Sequence, residues 1–189
     1  RIVPELGLTY DIPLATALLT GIVRDSHGFS GSATSGATLR IAADLVDAGA
    51  SLSRIHRDSL AHLSWTTMAL WGRMLQRIGQ RLDGRVVYTL LTEEMLGETG
   101  ARQDDADGIV EFIATARDAS IALLCREIGP RETRISIRTA DSVDATAIAS
   151  AFGGGGHSRR AGCTIQEPLD VAIDLVLREA AANLPADVR

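Results

Sequence analysis

The sequence has no lysine: all 19 of its basic residues are arginine. Cysteine is scarce, with only Cys125 and Cys163, and aromatics make up 4% of the chain. Two cysteines are too few for a disulfide scaffold or a structural zinc site. Each lies in an apolar segment, Ala122-Leu123-Leu124-Cys125 and Ala161-Gly162-Cys163-Thr164-Ile165. Buried free thiols in a reducing compartment are therefore expected. No apolar run approaches the ~20 residues that a membrane-spanning helix needs, so no membrane partner is expected. The opening residues Arg1-Ile2-Val3-Pro4-Glu5 lack the pattern of a secretory leader. The expected location is the cytoplasm.

What the chain does have is ordinary core-forming material. Its 189 residues are 46% hydrophobic and 23% charged, enough for one good-sized domain or two small ones. The net charge is −5, which argues against a protein that coats long duplex nucleic acid through a basic face. The all-arginine usage has two readings. It reflects GC-rich codon bias, or some of these side chains hold phosphate in a planar fork that lysine cannot supply. Composition leaves both open.

Asp11, Pro13 and the apolar residues after them read as a helix start. A Ser/Gly-rich loop follows over 26–36. Helical periodicity returns over 38–48, with Gly49 where a helix-ending glycine belongs, then over 53–63 and 66–78. From Asp83-Gly84 the pattern changes. Residues 85–91, 119–128 and 133–139 read as strands, 109–116 and 144–152 as short helices, 163–165 as a strand and 168–183 as a final helix. The acidic run 93–118 sets eight carboxylates against Arg102 and Arg117, a net of −6. A mostly helical N-terminal part thus precedes a compact α/β domain with a mixed sheet.

The chemistry concentrates in Phe152-Gly153-Gly154-Gly155-Gly156-His157-Ser158-Arg159-Arg160-Ala161-Gly162. Four glycines in a row lose much backbone entropy on folding. One reason to keep them is close backbone approach to an anion, with N–H groups turned onto it. The other is a flexible hinge between helix and strand. On an alternating strand Arg134, Ser136 and Arg138 share one face, with Ile135 and Ile137 on the other. Between residues 126 and 160 six arginines face Glu127, Glu132, Asp141 and Asp144, a local net of +2. That patch suits a small phosphorylated ligand. Separately, Asp25 and His27 flank a turn, and both residue types ligate divalent cations, although surface polar residues at a turn are equally ordinary.

Together these motifs resemble the DHH phosphoesterase superfamily with its DHH-associated C-terminal domain. The closest subgroup resembles the bacterial oligoribonuclease (nanoRNase) and phosphoadenosine-phosphate phosphatase proteins. The resemblance rests on three stretches. Gly153-Gly154-Gly155-Gly156-His157 with Ala161-Gly162 is similar to the family's glycine-histidine motif. Ser136-Ile137-Arg138-Thr139 with Val143-Asp144-Ala145 is similar to its arginine strand and following helix. Leu19-Thr20-Gly21-Ile22-Val23-Arg24-Asp25-Ser26 with Phe29 is similar to the end of its first domain.

The resemblance implies hydrolysis of phosphoesters by two divalent ions, Mn²⁺ or Mg²⁺, in a two-domain enzyme. It assigns Asp25 to the metal shell, with His27 as a further candidate. It assigns Arg138, Gly153, Gly154, Gly155, Gly156 and His157 to the substrate. Arg160, counted with that substrate set, replaces the usual first alanine of the motif, as an added phosphate contact or a solvent-exposed side chain; His27 replaces a usual glycine, as a metal ligand or a space-filling side chain. The implied substrates are short oligonucleotides or 3′-phosphoadenosine 5′-phosphate, and a homodimer is left open. The Asp-His-His motif itself is absent from these 189 residues. The expectation is therefore an N-terminally truncated piece, inactive alone. Residues 1–62 are read as the C-terminal part of a DHH-type catalytic domain, 63–82 as a linker helix and 83–189 as the substrate-binding domain. Two alternatives are a RecJ-like single-strand exonuclease and a non-catalytic nucleotide-binding module. The scattered aromatics argue against the stacking groove that the first would use.

Overall fold

A computed structural model describes residues 9–26, 28–29, 34–60 and 63–185. The chain divides into two compact units, residues 1–63 and 64–189.

The described part of the first unit is helical. Helix α1 (Ile12–Asp25) is capped by Asp11, whose carboxylate accepts from the Leu14 amide at 2.8 Å, with Pro13 in its first turn. Helix α2 (Gly36–Asp47) begins with a reciprocal Ser35–Thr38 capping box, and α3 (Leu52–Leu60) follows. α3 begins one residue before the sequence reading of 53–63, of which residues 61–62 lie outside the described residues. Ala15, Leu19 and Val23 of α1 meet Ala42 and Leu45 of α2 and Ile55 of α3 in one small core. The 3.6-residue spacing of those apolar positions is what sets the helices against one another.

The second unit is built on a six-stranded mixed sheet, in agreement with the α/β expectation. Its strands are β1 (Gly79–Arg81), β2 (Val86–Leu91), β3 (Ile121–Gly129), β4 (Glu132–Thr139), β5 (Gly155–His157) and β6 (Arg160–Ile165). Their order is β1-β2-β3-β4-β6-β5, with β2 and β3 parallel and every other pair antiparallel. The helices are α4 (Trp65–Gln76), α5 (Glu93–Thr99), α6 (Ile109–Ile113), α7 (Ala145–Ser150) and α8 (Leu169–Ala182), with a 3₁₀ turn at Gln103–Ala106.

Alternation along the strands gives the sheet two faces. Leu123, Cys125, Ile135, Ile137, Ala161, Cys163 and Ile165 point to one, under α7 and α8. Val87, Ala122 and Leu124 point to the other, where Leu70 and Met74 of α4 and Ile109, Val110 and Ile113 of α6 cover them. Segment 63–82, read as a linker helix, here supplies α4 and β1, and α4 buries Leu70 and Met74 completely. The glycine run differs from a plain loop. Gly155 and Gly156 form the edge strand β5, and β6 starts at Arg160 rather than Cys163. Both cysteines are free and buried as expected, and burial pushes their thiols up, Cys125 to about 12 and Cys163 to about 11.

Candidate functional site

The covering helices leave the β4, β6 and β5 side of the second face open, and the polar residues of the glycine-histidine motif collect there. Register makes the arrangement. Arg138 of β4 pairs with Arg160 of β6, and Arg160 pairs with His157 of β5. Directly opposed residues on antiparallel strands project to the same side, with Cβ atoms ~5 Å apart. Three donors therefore stand in one row across three strands. The row behind it holds Ser136, Gly162 and Gly155, again in register. Two of its three residues are glycine, so the sheet surface is bare backbone beside the cationic row.

The tandem arginines diverge. Arg160 lies on the open face, half exposed, while Arg159 turns back to donate to the Thr139 carbonyl and pair with Asp141. That contact, with the Thr139 hydroxyl donating to the Ser158 carbonyl, ties the β5–β6 turn to the end of β4. Asp144 is the N-cap of α7. Its carboxylate accepts from the Thr146 hydroxyl and amide, which hold it below its usual pKa. The helix so anchored delivers the chain to Gly153.

The four glycines have different reasons to be glycine. A Cβ on Gly154 would meet the Gly162 carbonyl oxygen at 2.3 Å and the Cys163 Cβ at 2.5 Å. Gly156 has φ +150°, and its Cβ would meet the Arg160 carbonyl oxygen at 2.4 Å. At those two positions the protein's own backbone requires glycine. Gly155 faces open space. It lines, with Gly153, Phe152, Ile128, Arg134 and Thr164, a hollow of about 630 Å³.

Arg134 also borders a second groove of about 500 Å³, shared with Arg126, Ser136, Arg138 and Arg160. This groove holds three carboxylates that the sequence reading did not single out: Glu111, Asp107 and Asp104. Glu111 Oε1 accepts from Arg138 Nε at 2.9 Å and from Arg160 Nη2 at 2.8 Å. Burial raises the Glu111 pKa, but the hydrogen bond and charge of Arg138, aided by Arg160, outweigh it and hold the carboxyl below its usual value. Asp107 pairs with Arg126 Nη2 at 2.7 Å. Arg126 was findable from alternation, since Ala122, Leu124 and Arg126 share a face. Glu111 was not, because its partners lie 27 and 49 residues away.

Asp25 ends α1 in the first unit and is exposed. The turn after it is fixed by Ser26, whose hydroxyl donates to the Ile22 carbonyl at 2.6 Å and accepts from the Phe29 amide at 3.0 Å. His27 lies outside the described residues. Among the described residues no group of three or more His, Cys, Asp or Glu could hold a metal ion. Asp25 is one oxygen donor, and these residues do not make a shell for Mn²⁺ or Mg²⁺.

Comparison with known proteins matches residues 83–183 to the family described as the DHHA1 domain. The chain is 32% identical over 182 residues to the bifunctional oligoribonuclease and PAP phosphatase NrnA of Thermus thermophilus, covering 95% of this chain and 53% of that protein. The protein of the same description from Mycoplasma genitalium is 30% identical, covering 86% of this chain and 50% of that one. The chain thus spans about half the length of these curated relatives. Among solved structures, an exopolyphosphatase-related protein from Bacteroides fragilis superposes with a TM-score of 0.85 at 21% identity, over 91% of this chain and 51% of that one. That likeness concerns the fold.

Proposed function

This chain belongs to the DHHA1 domain family, and from that premise we propose that its second unit is the substrate-holding part of a phosphoesterase acting on short oligonucleotides, 3′-phosphoadenosine 5′-phosphate or both. One observation carries the reading: the in-register row Arg138–Arg160–His157 beside the glycine-lined sheet surface. Guanidinium groups suit the tetrahedral oxygens of phosphate, because their donors diverge in a plane and reach two oxygens at once. The bare backbone at Gly155 and Gly162 lets a nucleotide lie against the sheet without side chains in its way.

In this reading Arg138 and Arg160 orient the phosphate, His157 donates to a phosphate or sugar oxygen at the open edge, and Ser136 offers a hydroxyl within the same groove. A divalent ion, if bound, would supply water activation, and Asp25 would be one oxygen donor to it among the described residues. The chain alone is accordingly a binder rather than a catalyst. The relatives act as oligoribonucleases and PAP phosphatases by name, which supports the substrate class; no described helix is long and apolar enough to cross a membrane.

Titration with adenosine phosphates and short adenylate dinucleotides tests the site. Arg138→Ala and His157→Ala are each expected to weaken binding by ~10-fold or more, as loss of a charge-assisted contact would. Unchanged affinity in both variants would sink the assignment. In a manganese-dependent hydrolysis assay the chain alone is expected to show no turnover, and a rate like that of a complete relative would overturn that part.

A further inference from the structure

Resting on the reading of this groove as a phosphate site, we infer that Glu111 limits the negative charge the groove accepts, so that a short phosphodiester is preferred to a nucleoside 3′,5′-bisphosphate. Glu111 Oε1 takes Arg138 Nε at 2.9 Å, Arg138 Nη2 at 2.8 Å and Arg160 Nη2 at 2.8 Å. One oxygen thus gathers two guanidinium groups that stand opposite each other on neighbouring strands and would otherwise repel. Arg138 Nη1 donates to the Ile137 carbonyl at 2.8 Å. The Arg138 side chain, only 18% exposed, thus has all three of its nitrogens engaged within the protein.

Asp107 pairs with Arg126 Nη2 at 2.7 Å, while Arg126 Nε is buried without a partner. With Arg134 and Asp104 at the rim, the groove sets four arginines against three carboxylates, a net of +1. The arginine-rich surface is built for aim rather than for charge. Glu111 Oε1 holds the two guanidiniums together and cancels half their charge, leaving Arg160 as the half-exposed member of the pair.

A phosphodiester linkage carries one negative charge, whereas a terminal phosphate carries about −1.5 to −2 at neutral pH. A dinucleotide without terminal phosphates therefore matches the groove. A bisphosphate brings surplus charge against Glu111, which is partly buried so that like charges repel more than in water, and against Asp107, which is exposed. Glu111 acts as a specificity residue here, because it sets which ligand charge is compensated.

The test compares adenylyl-(3′→5′)-adenosine with adenosine 3′,5′-bisphosphate in calorimetric titrations of the whole chain. The wild type is expected to bind the dinucleotide ~10-fold more tightly. Glu111→Gln is expected to raise bisphosphate affinity ~10-fold and to leave dinucleotide affinity within about threefold. Asp107→Asn, read the same way at Arg126, carries the test if Glu111→Gln fails to fold. A wild-type preference for the bisphosphate, or a variant that shifts both ligands equally, overturns the charge limit while leaving the phosphate site itself standing. No binding of either ligand overturns both.

Discussion

Glycine separates structural from ligand-facing demands inside one four-residue run. Gly154→Ala places a methyl group against the Gly162 carbonyl and Cys163. Neither is a flexible tip, so the sheet edge must shift. A loss of ~1–3 kcal/mol in stability is expected from such overpacking, read as a lower urea midpoint. Gly155→Ala meets nothing within 4 Å. Its stability is expected to stay within about 0.5 kcal/mol of wild type, while ligand affinity falls if a nucleotide lies on that surface. A folded Gly155→Ala with full affinity would put the ligand elsewhere. Glu111 gives a pH signature at the same scale. Its folded carboxyl titrates below its ordinary value, so the stability it adds is complete above the unfolded carboxylate pKa and fades as pH falls through the folded one. Glu111→Gln should therefore lower Tm at pH 7, with the gap to wild type closing below about pH 4. Equal Tm values at pH 7 would contradict the pairing.

Among the elements, α4 packs on the second face of the sheet, where Leu70 and Met74 are fully buried. Its periodicity was legible in the sequence, but its partners were not, since Leu70 and Met74 meet Val87, Leu124 and Ile109 only after the sheet has formed. Leu70→Ala is expected to destabilise the second unit by ~2–5 kcal/mol, the range for emptying a buried leucine site. A change below about 0.5 kcal/mol in chemical denaturation is what a free linker helix would give. The alternation of Arg134, Ser136 and Arg138 was readable because period-two patterning declares which side chains share a face. Strands β1 and β5 were not readable. Gly79-Gln80-Arg81 and Gly155-Gly156-His157 carry no apolar alternation, and only pairing with β2 and β6 makes them strands. Helix α5 also escaped notice, because in seven residues it buries just Met95 and Leu96.

At the scale of the whole molecule, the net charge of −5 conceals a groove whose sign is opposite and whose magnitude is small. In the proposed reading, that contrast suits a short anion better than a long duplex. The absence of lysine, open between codon bias and function at the outset, acquires a local meaning at Arg138 and Arg160, where one carboxylate organises two planar forks. The two compact units carry separate cores, so residues 64–189 are expected to fold as an independent polypeptide with the ligand affinity of the whole chain. The central claim, that a short nucleotide lies across the Arg138–Arg160–His157 row, is tested most directly by amide chemical-shift mapping during titration with adenylyl-(3′→5′)-adenosine. Saturable shifts are expected at Ser136, Arg138, Gly153, Gly155, His157 and Arg160. Shifts that leave those amides in place and gather instead around Asp25 and Phe29 in the first unit would contradict it.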